Sequence, residues 1–210
     1  MTIPGDLKKF RIKLASGSPR RRQLLEELGL EFEVVTREYP EIFPDNLKGK
    51  DIAEYLSREK ANLWKEEITE NEIVITADTI VWCNGMVLGK PNSRDEAIKM
   101  IEILSGNIHE VITGVTFISK EKERTFSETT KVTFGFLTSE EIRYYVENFE
   151  PYDKAGAYGI QEWIGLAGCT RIEGSYFNVV GLPVQMLYRE LKDFVKSMVL
   201  FNRKEHKGKE

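Results

Sequence analysis

Basic and hydroxyl residues cluster where a helix is predicted to begin near the N-terminus. The segment 16–22, Ser-Gly-Ser-Pro-Arg-Arg-Arg, follows an apolar run at 12–15 that predicts a strand and precedes a helix ending at Gly29. Ser18 suits the N-cap of this helix, and Pro19 suits its first position. The helix dipole disfavours arginines in a first turn, but a phosphate held by free N–H groups and guanidinium groups would compensate. The segment therefore predicts a phosphate site; the alternative is solvated arginines on a surface helix.

One aspartate follows the most apolar stretch of the chain. Residues 73–77 predict a buried strand, and Asp78 comes directly after them. A buried carboxylate is costly unless it is paired, metal-bound or hydrated. The ends of strands are also where open α/β sheets bind ligands. A helix-capping role is disfavoured because a hairpin, not a helix, is predicted next. Asp78 is therefore predicted to be a general base or a metal ligand.

Three turn-rich segments add further candidates. Lys90 lies on a Gly-Lys-Pro turn before a predicted helix, which suits a phosphate contact or a solvated lysine. The spacing around it is not that of a Walker P-loop. Glycines in segments 152–161 and 174–183 allow the backbone to approach a ligand closely. Gln161 offers both a donor and an acceptor, so it could bind the edge of a nucleotide base.

The remaining pattern predicts the elements that position these residues. Hairpins mixed with strand–helix units indicate an α/β fold with a mixed sheet. His109 is predicted to orient a neighbouring loop. Strands are predicted at 31–35, 73–77, 79–82, 86–88, 111–119 and 124–136, and helices at 51–67 (with Asp51 as N-cap), 93–104, from 138, and 183–201.

Length and composition limit the classes of protein. A chain of 210 residues suits one domain with two lobes, placed at 1–202, followed by a charged tail at 203–210. A net charge of −4 argues against binding a nucleic-acid polymer. No run approaches the roughly 20 apolar residues of a membrane span. The two cysteines lie far apart in the sequence and form no Cys-x-x-Cys pair. We therefore expect a cytoplasmic protein that does not act on membranes.

Taken together and in order, these segments resemble the Maf family of nucleoside triphosphate pyrophosphatases. The resemblance covers about 14–187, with matching segments at 16–21, 58–61, 77–79, 89–91, 104–106, 109–113, 153–161 and 178–183. It implies an α/β fold similar to inosine-triphosphate pyrophosphatase, with a mixed central sheet and two lobes around a cleft. It also implies a hydrolase that cleaves between the α and β phosphates, releases pyrophosphate and uses Mg²⁺ or Mn²⁺.

The resemblance also implies roles for single residues. Asp78 matches the catalytic acid–base aspartate and, with Glu41, would hold the metal. Glu41 matches the second member of an aspartate–glutamate pair, with Pro40 at the place of the aspartate. The residues associated with substrate choice are Arg20, Thr79 and Gln161, a set typical of the subgroup acting on dTTP and UTP. The residues expected to bind phosphates are Ser16, Arg20, Arg21, Lys60 and Lys90.

Alternatives to this interpretation stay open. The same chemistry could act on another base, such as that of 7-methyl-GTP or a modified pyrimidine nucleotide. The chain could instead be a nucleotide-binding regulator of cell division without turnover, or it could act mainly through a partner protein. A homodimer is likewise left open. Pyrophosphate release measured across a panel of nucleotides with Mg²⁺ would separate turnover from binding.

Overall fold

The computed structural model describes residues 7–207, and from residue 200 onward it describes the backbone alone. Its strands are β1 (Arg11–Ala15), β2 (Glu33–Val35), β3 (Glu72–Cys83), β4 (Met86–Leu88), β5 (Ile108–Ile118), β6 (Glu123–Phe134) and β7 (Cys169–Glu173). Within the described residues they form one seven-stranded sheet in the order β2-β1-β3-β5-β6-β7, with β4 paired to part of β3. The pairs β1–β2 and β1–β3 are parallel and the others antiparallel. The predicted α/β fold with a mixed central sheet is confirmed.

The helices are α1 (Pro19–Glu27), α2 (Lys50–Asn62), α3 (Arg94–Leu104), α4 (Ser139–Phe149), α5 (Trp163–Ala167), α6 (Tyr176–Val180) and α7 (Val184–Lys207). The predicted cap of α1 is confirmed, because the Ser18 side chain accepts a hydrogen bond from the Arg21 N–H. The predicted start of α2 is wrong. The chain enters this helix through Gly49 with a positive φ of 50°, so Asp51 lies within the first turn and caps nothing.

The last helix is longer than predicted. Helix α7 continues to Lys207, so 203–207 of the predicted tail are helical, and 208–210 lie outside the described residues. Within the described residues, no helix combines the length and apolar character that crossing a membrane requires.

Strand β3 is one continuous element where two strands were predicted. It has 12 residues, and β5 pairs with it without interruption from Val74 to Trp82. The prediction that Asp78 ends a strand is therefore wrong. It lies in the middle of β3, because the long partner strand carries the ladder straight through this position. The predicted hairpin to β4 is confirmed, with Asn84 and Gly85 both at positive φ in the turn.

The other edge of β3 has a gap. Strand β1 pairs with Glu72 to Ile75, and β4 pairs with Val81 to Cys83. Both lie on the edge away from β5, so residues 76–80 have no strand beside them on that edge. A gap of this kind leaves backbone N–H and C=O groups without a strand partner. Other parts of the chain must supply their hydrogen bonds.

Apolar clusters lie at both ends of β3. One packs residues of α1 and α7 against Ile73 and Ile75. The other packs residues of α3 and α4 against Val81 and Cys83. These clusters are the cores of the two predicted lobes, and Asp78 lies on β3 between them.

Candidate active site

A cleft of about 510 Å³ opens at the gap in β3. Its volume is in the ordinary range for a small-molecule site, roughly 300–1,000 Å³. The structure brings every predicted site residue to this cleft. Its lining includes Ser16, Arg20, Arg21, Glu41, Lys60, Asp78, Thr79, Lys90 and Gln161.

Carboxylate and ammonium groups alternate across the cleft. Asp78 is 4% exposed, and its Oδ1 accepts a hydrogen bond from the Lys60 ammonium. Lys60 Nζ also lies 3.2 Å from Glu41 Oε1, and Lys90 Nζ lies 2.7 Å from the same oxygen. A single ammonium group therefore joins the two carboxylates that were predicted to hold a metal.

The two carboxylates have different proton affinities. Burial raises the pKa of Asp78, and the Glu41 charge adds to this effect while the Lys60 ammonium opposes it. Burial also acts to raise the pKa of Glu41, but the ammonium groups of Lys60 and Lys90 outweigh it and lower that pKa. The surroundings thus favour protonation of Asp78 and the ionised form of Glu41. This division suits proton acceptance by Asp78.

A close helix–sheet contact positions Lys60. Gly114 lies directly opposite Asp78 in the β3–β5 pair, so both positions face the same side of the sheet. A Cβ atom at Gly114 would lie 2.2 Å from the backbone oxygen of Ala53 on α2. The absence of a side chain therefore lets α2 pack directly onto β5. Lys60 follows Ala53 by about two helical turns, which brings its side chain to Asp78.

Arg21 fills the gap in the edge of β3. One of its terminal nitrogens donates to the Ala77 carbonyl at 2.7 Å and to Ser16 Oγ at 3.2 Å. Its Nε donates to the Gly181 carbonyl at 2.9 Å, and its other terminal nitrogen donates to Thr79 Oγ1 at 2.9 Å. These contacts use four of the five N–H bonds of the guanidinium group. Arg21 thus braces α1 against β3, and its contact with phosphate stays a prediction.

The residues predicted to select the substrate lie on different elements around the cleft. The Thr79 hydroxyl lies 2.9 Å from that of Thr113 on β5. Arg20 donates to Asp153 Oδ2 at 2.7 Å. The exposed Gln161 side chain makes no hydrogen bond with any other described residue, so its donor and acceptor are both available to a ligand.

Sequence reasoning missed the ion pairs that hold Arg20. Besides Arg20, Asp153 binds the ammonium of Lys154 at 2.7 Å. Although burial acts to raise it, hydrogen bonds from Lys154 and Arg20 lower the pKa of Asp153 to about 2. The only signal in the sequence was an Asp-Lys pair at the start of a glycine-rich segment. Such a pair is as often exposed to solvent as it is part of an ion-pair network.

His109 is buried against the glycine-rich segment. Its Nε2 lies 2.8 Å from the Tyr158 hydroxyl, and its Nδ1 has no hydrogen-bond partner among the described residues. Burial lowers the pKa of His109 to about 4, so the ring is neutral near pH 7. His109 thus contacts a neighbouring loop, and its role in orienting that loop stays a prediction.

The donor set limits what metal could bind. No group of three or more histidine, cysteine, aspartate or glutamate residues in the described part of the chain could hold a metal ion by itself. Glu41 and Asp78 would supply two carboxylate ligands, and both of them contact the same ammonium group. Mg²⁺ often uses one or two carboxylates and completes its shell with waters and substrate phosphates. These residues therefore fit an ion that arrives with a phosphate ligand.

The chain is similar in sequence to several named proteins over most of its length. The chain is 52% identical over 188 residues to the dTTP/UTP pyrophosphatase of Phocaeicola vulgatus, covering 89% of this chain and 97% of the relative. It is 49% identical over 189 residues to the protein of the same name in Bacteroides thetaiotaomicron, covering 90% and 98%. The protein of that name in Flavobacterium johnsoniae is 49% identical over 189 residues, covering 90% and 97%.

Solved structures are more distant. The crystal structure of a nucleoside-triphosphatase / dITP/XTP pyrophosphatase from Mycobacterium abscessus aligns at a TM-score of 0.42 and 12% identity, covering 91% of this chain and 97% of that one. A likeness this weak supports no conclusion. The family model described as "Maf-like protein", in contrast, matches residues 11–194, most of the chain. The chain belongs to the Maf family.

Proposed function

We propose that this protein is a nucleoside triphosphate pyrophosphatase that hydrolyses dTTP and UTP to the monophosphate and pyrophosphate. The observation that carries this proposal is the buried carboxylate of Asp78, set among cationic side chains in the cleft. The names of relatives about half identical in sequence support the choice of dTTP and UTP. The catalytic domain would comprise 1–202.

The reaction needs a base, a bound leaving group and neutralised charge. A water molecule attacks the α-phosphorus, and the bond from that phosphorus to the α–β bridging oxygen breaks. The electron pair of that bond leaves with pyrophosphate. Asp78 accepts the proton of the attacking water through its carboxylate, for which its raised pKa suits it.

Cationic side chains would hold the phosphates. Lys60 and Lys90 bring their ammonium groups to one side of the cleft, where both reach Glu41 Oε1. Arg20 lies at the first turn of α1, whose N–H groups add a site for anions. Ser16 and Arg21 would complete this set. These groups stabilise the charge that accumulates on pyrophosphate as it leaves.

Glu41 and Asp78 would hold a Mg²⁺ or Mn²⁺ ion, whose chemistry is to neutralise phosphate charge and polarise the phosphorus centre. Gln161 would bind the base through its unpaired amide, and Thr79, which also lines the cleft, would contribute to base selection. We further propose a cytoplasmic location and small nucleotides, rather than nucleic-acid polymers or membranes, as the partners. Dimer formation is left open.

Pyrophosphate release tests the proposal directly. The purified protein is incubated with Mg²⁺ and each of dTTP, UTP, CTP, GTP, ATP and 7-methyl-GTP, and kcat/KM is measured for each. The proposal expects dTTP and UTP to be the best substrates, with the monophosphate as the second product. Preference for 7-methyl-GTP would overturn the substrate assignment. Nucleotide binding without pyrophosphate release would indicate a sensor rather than an enzyme.

A further inference from the structure

Lys154 is a nearly buried lysine that has no part in the proposed reaction. It is 9% exposed, and its Nζ lies 2.7 Å from Asp153 Oδ1 and 3.0 Å from Glu162 Oε1. An ammonium group is costly to bury unless it is paired. Two carboxylates compensate this one, so Lys154 holds two acidic residues that are nine positions apart in the chain.

Each of the two acidic residues that contact Lys154 leads on to a further residue of the cleft. The second oxygen of Asp153 accepts the hydrogen bond from Arg20, and Glu162 directly follows Gln161 in the sequence. We call Arg20, Asp153, Lys154 and Glu162 the ionic chain. It runs through alternating charges from α1 to the residue next to Gln161. The two ends of the cleft that are proposed to bind phosphate and base are therefore mechanically connected.

The Glu162 end of the ionic chain is anchored in the second lobe. The hydroxyl of Tyr145, a fully buried residue of α4, donates to Glu162 Oε2 and accepts from the Gly159 N–H at 3.0 Å. Burial, together with the Glu162 contact, raises the pKa of Tyr145, so the hydroxyl stays protonated. A Cβ at Gly165 would lie 1.8 Å from the Ile160 oxygen, so α5 packs tightly against this loop. Gln161 is thus carried on a segment fixed from both sides.

The Arg20 end remains open to a ligand. Apart from its contact with Asp153, the Arg20 guanidinium makes no hydrogen bond with the described residues. Four of its five N–H bonds are therefore free for phosphate or ribose oxygens. Asp153 orients this group without using up its binding capacity.

We propose that Lys154 is a positioning residue for base selection, because it fixes the spacing between Arg20 and Gln161. This inference rests on the proposed function, which gives those two residues their tasks. This fixed spacing has to accommodate a pyrimidine while Arg20 holds the phosphates. A larger purine would then have to displace the Gln161 segment, which the Lys154–Glu162 contact opposes. Discrimination thus arises from a penalty on the wrong substrate, as well as from contacts with the right one.

The test compares Lys154→Met with Lys122→Met. Methionine keeps most of the apolar stem and removes the charge. Lys122 is a partly buried lysine outside the cleft lining that contacts Ser197 and the Phe194 ring, so it serves as the matched control. For each protein, kcat/KM is measured with UTP and GTP, and inhibition by pyrophosphate is measured separately.

The expected result is a change in selectivity. In Lys154→Met the ratio of kcat/KM for UTP over GTP falls about tenfold, mainly through KM, because the bound geometry loosens by a fraction of an ångström. Inhibition by pyrophosphate changes less than about twofold, since the other phosphate ligands stay in place. Lys122→Met keeps the wild-type ratio. A uniform loss of activity with both nucleotides would indicate a merely structural role and overturn the inference.

A second variant covers the case in which Lys154→Met does not fold. The Asp153 side chain is 57% exposed, so Asp153→Asn breaks the ionic chain from its solvent side, and Glu162 still pairs with the buried ammonium group of Lys154. It is expected to lower the UTP-over-GTP ratio in the same direction. An unchanged ratio in a folded Asp153→Asn protein overturns the inference. A wild-type protein that turns over no nucleotide removes the proposed function as well, whereas an active wild type with unaltered variants removes the inference alone.

Discussion

The Ala77 carbonyl accepts a hydrogen bond from the Arg21 guanidinium at 2.7 Å, on the edge of β3 where no strand is paired. The neighbouring Arg20 faces the cleft and is tied to an exposed carboxylate. The two adjacent arginines, both predicted to bind phosphate, therefore occupy different structural positions. Arg21 bonds to the β3 edge where no strand is paired, whereas Arg20 lines the cleft and contacts Asp153.

Replacing each arginine by lysine should change the stability of the protein by different amounts at the two positions. Arg21→Lys loses the planar fork that reaches several acceptors at once, so it is expected to lower the free energy of unfolding by about 2 kcal/mol or more. Arg20→Lys breaks an exposed ion pair and should change it by less than about 1 kcal/mol. Urea unfolding of both variants measures this difference. Equal destabilisation would contradict the assignment of Arg21 as the brace of the β3 edge.

Asp78→Asn should remove turnover while leaving nucleotide binding nearly intact. The amide keeps an oxygen for the Lys60 contact but cannot accept a proton, so kcat is expected to fall by about 10²-fold or more. Pyrophosphate release gives kcat, and calorimetric titration gives the nucleotide dissociation constant. The control is Asp95→Asn on α3, whose side chain is 82% exposed. Retention of more than about a tenth of wild-type kcat by Asp78→Asn would exclude Asp78 as the base.

Lys60→Met should increase the affinity of the nucleotide-free protein for Mn²⁺. In the wild-type protein the ammonium group contacts both Glu41 and Asp78, so it would compete with a divalent ion held by the two carboxylates. Its removal leaves two carboxylates without that neutralising charge, and a gain of about tenfold or more in affinity is expected. Electron paramagnetic resonance measures the concentration of free Mn²⁺, and this readout does not depend on enzyme activity.

The exposed Lys99 on α3 offers a control for the same titration. Lys99→Met should bind Mn²⁺ as the wild type does. If Lys60→Met also behaves like the wild type, the ammonium group does not occupy the position between the carboxylates in solution.

His109→Gln should change how stability depends on pH. The folded-state pKa of His109 is about 4, below its ordinary value of 6.5, so the unfolded chain binds the proton more tightly. Stability is therefore lost as pH falls from about 6.5 towards 4, by about 2 kcal/mol at pH 5. Glutamine does not titrate, so the variant should lose that much less between pH 7.5 and pH 5. Urea unfolding at the two pH values measures this, and parallel losses would contradict burial of a neutral ring.

Local signals in the sequence were sufficient for several elements. The cap of α1 at Ser18 and the start of α4 after Thr138 depend on residues within one turn, so short patterns predict them. The hairpin turn at 84–85 is equally local. The family resemblance, now confirmed, identified the residues that line the cleft.

Other features depend on contacts that sequence patterns do not encode. Asp78 interrupts an apolar run and suggested a strand end, but pairing with β5 carries the strand through it. The short strand β7 was missed, as were α5 and α6, because five-residue elements leave little periodicity. The contact between Arg20 and Asp153 joins positions 133 residues apart. It exists only because α1 and the glycine-rich segment meet across the cleft.

The two long strands of the sheet bear on how a substrate enters. Strands β3 and β5 have 12 and 11 residues, and each runs through both lobes as part of one hydrogen-bonded ladder. A hinge between the lobes would have to bend both strands near Asp78 and Gly114, at the proposed catalytic carboxylate. We therefore expect the nucleotide to diffuse into a preformed cleft. The release of pyrophosphate should not depend on the two lobes moving apart.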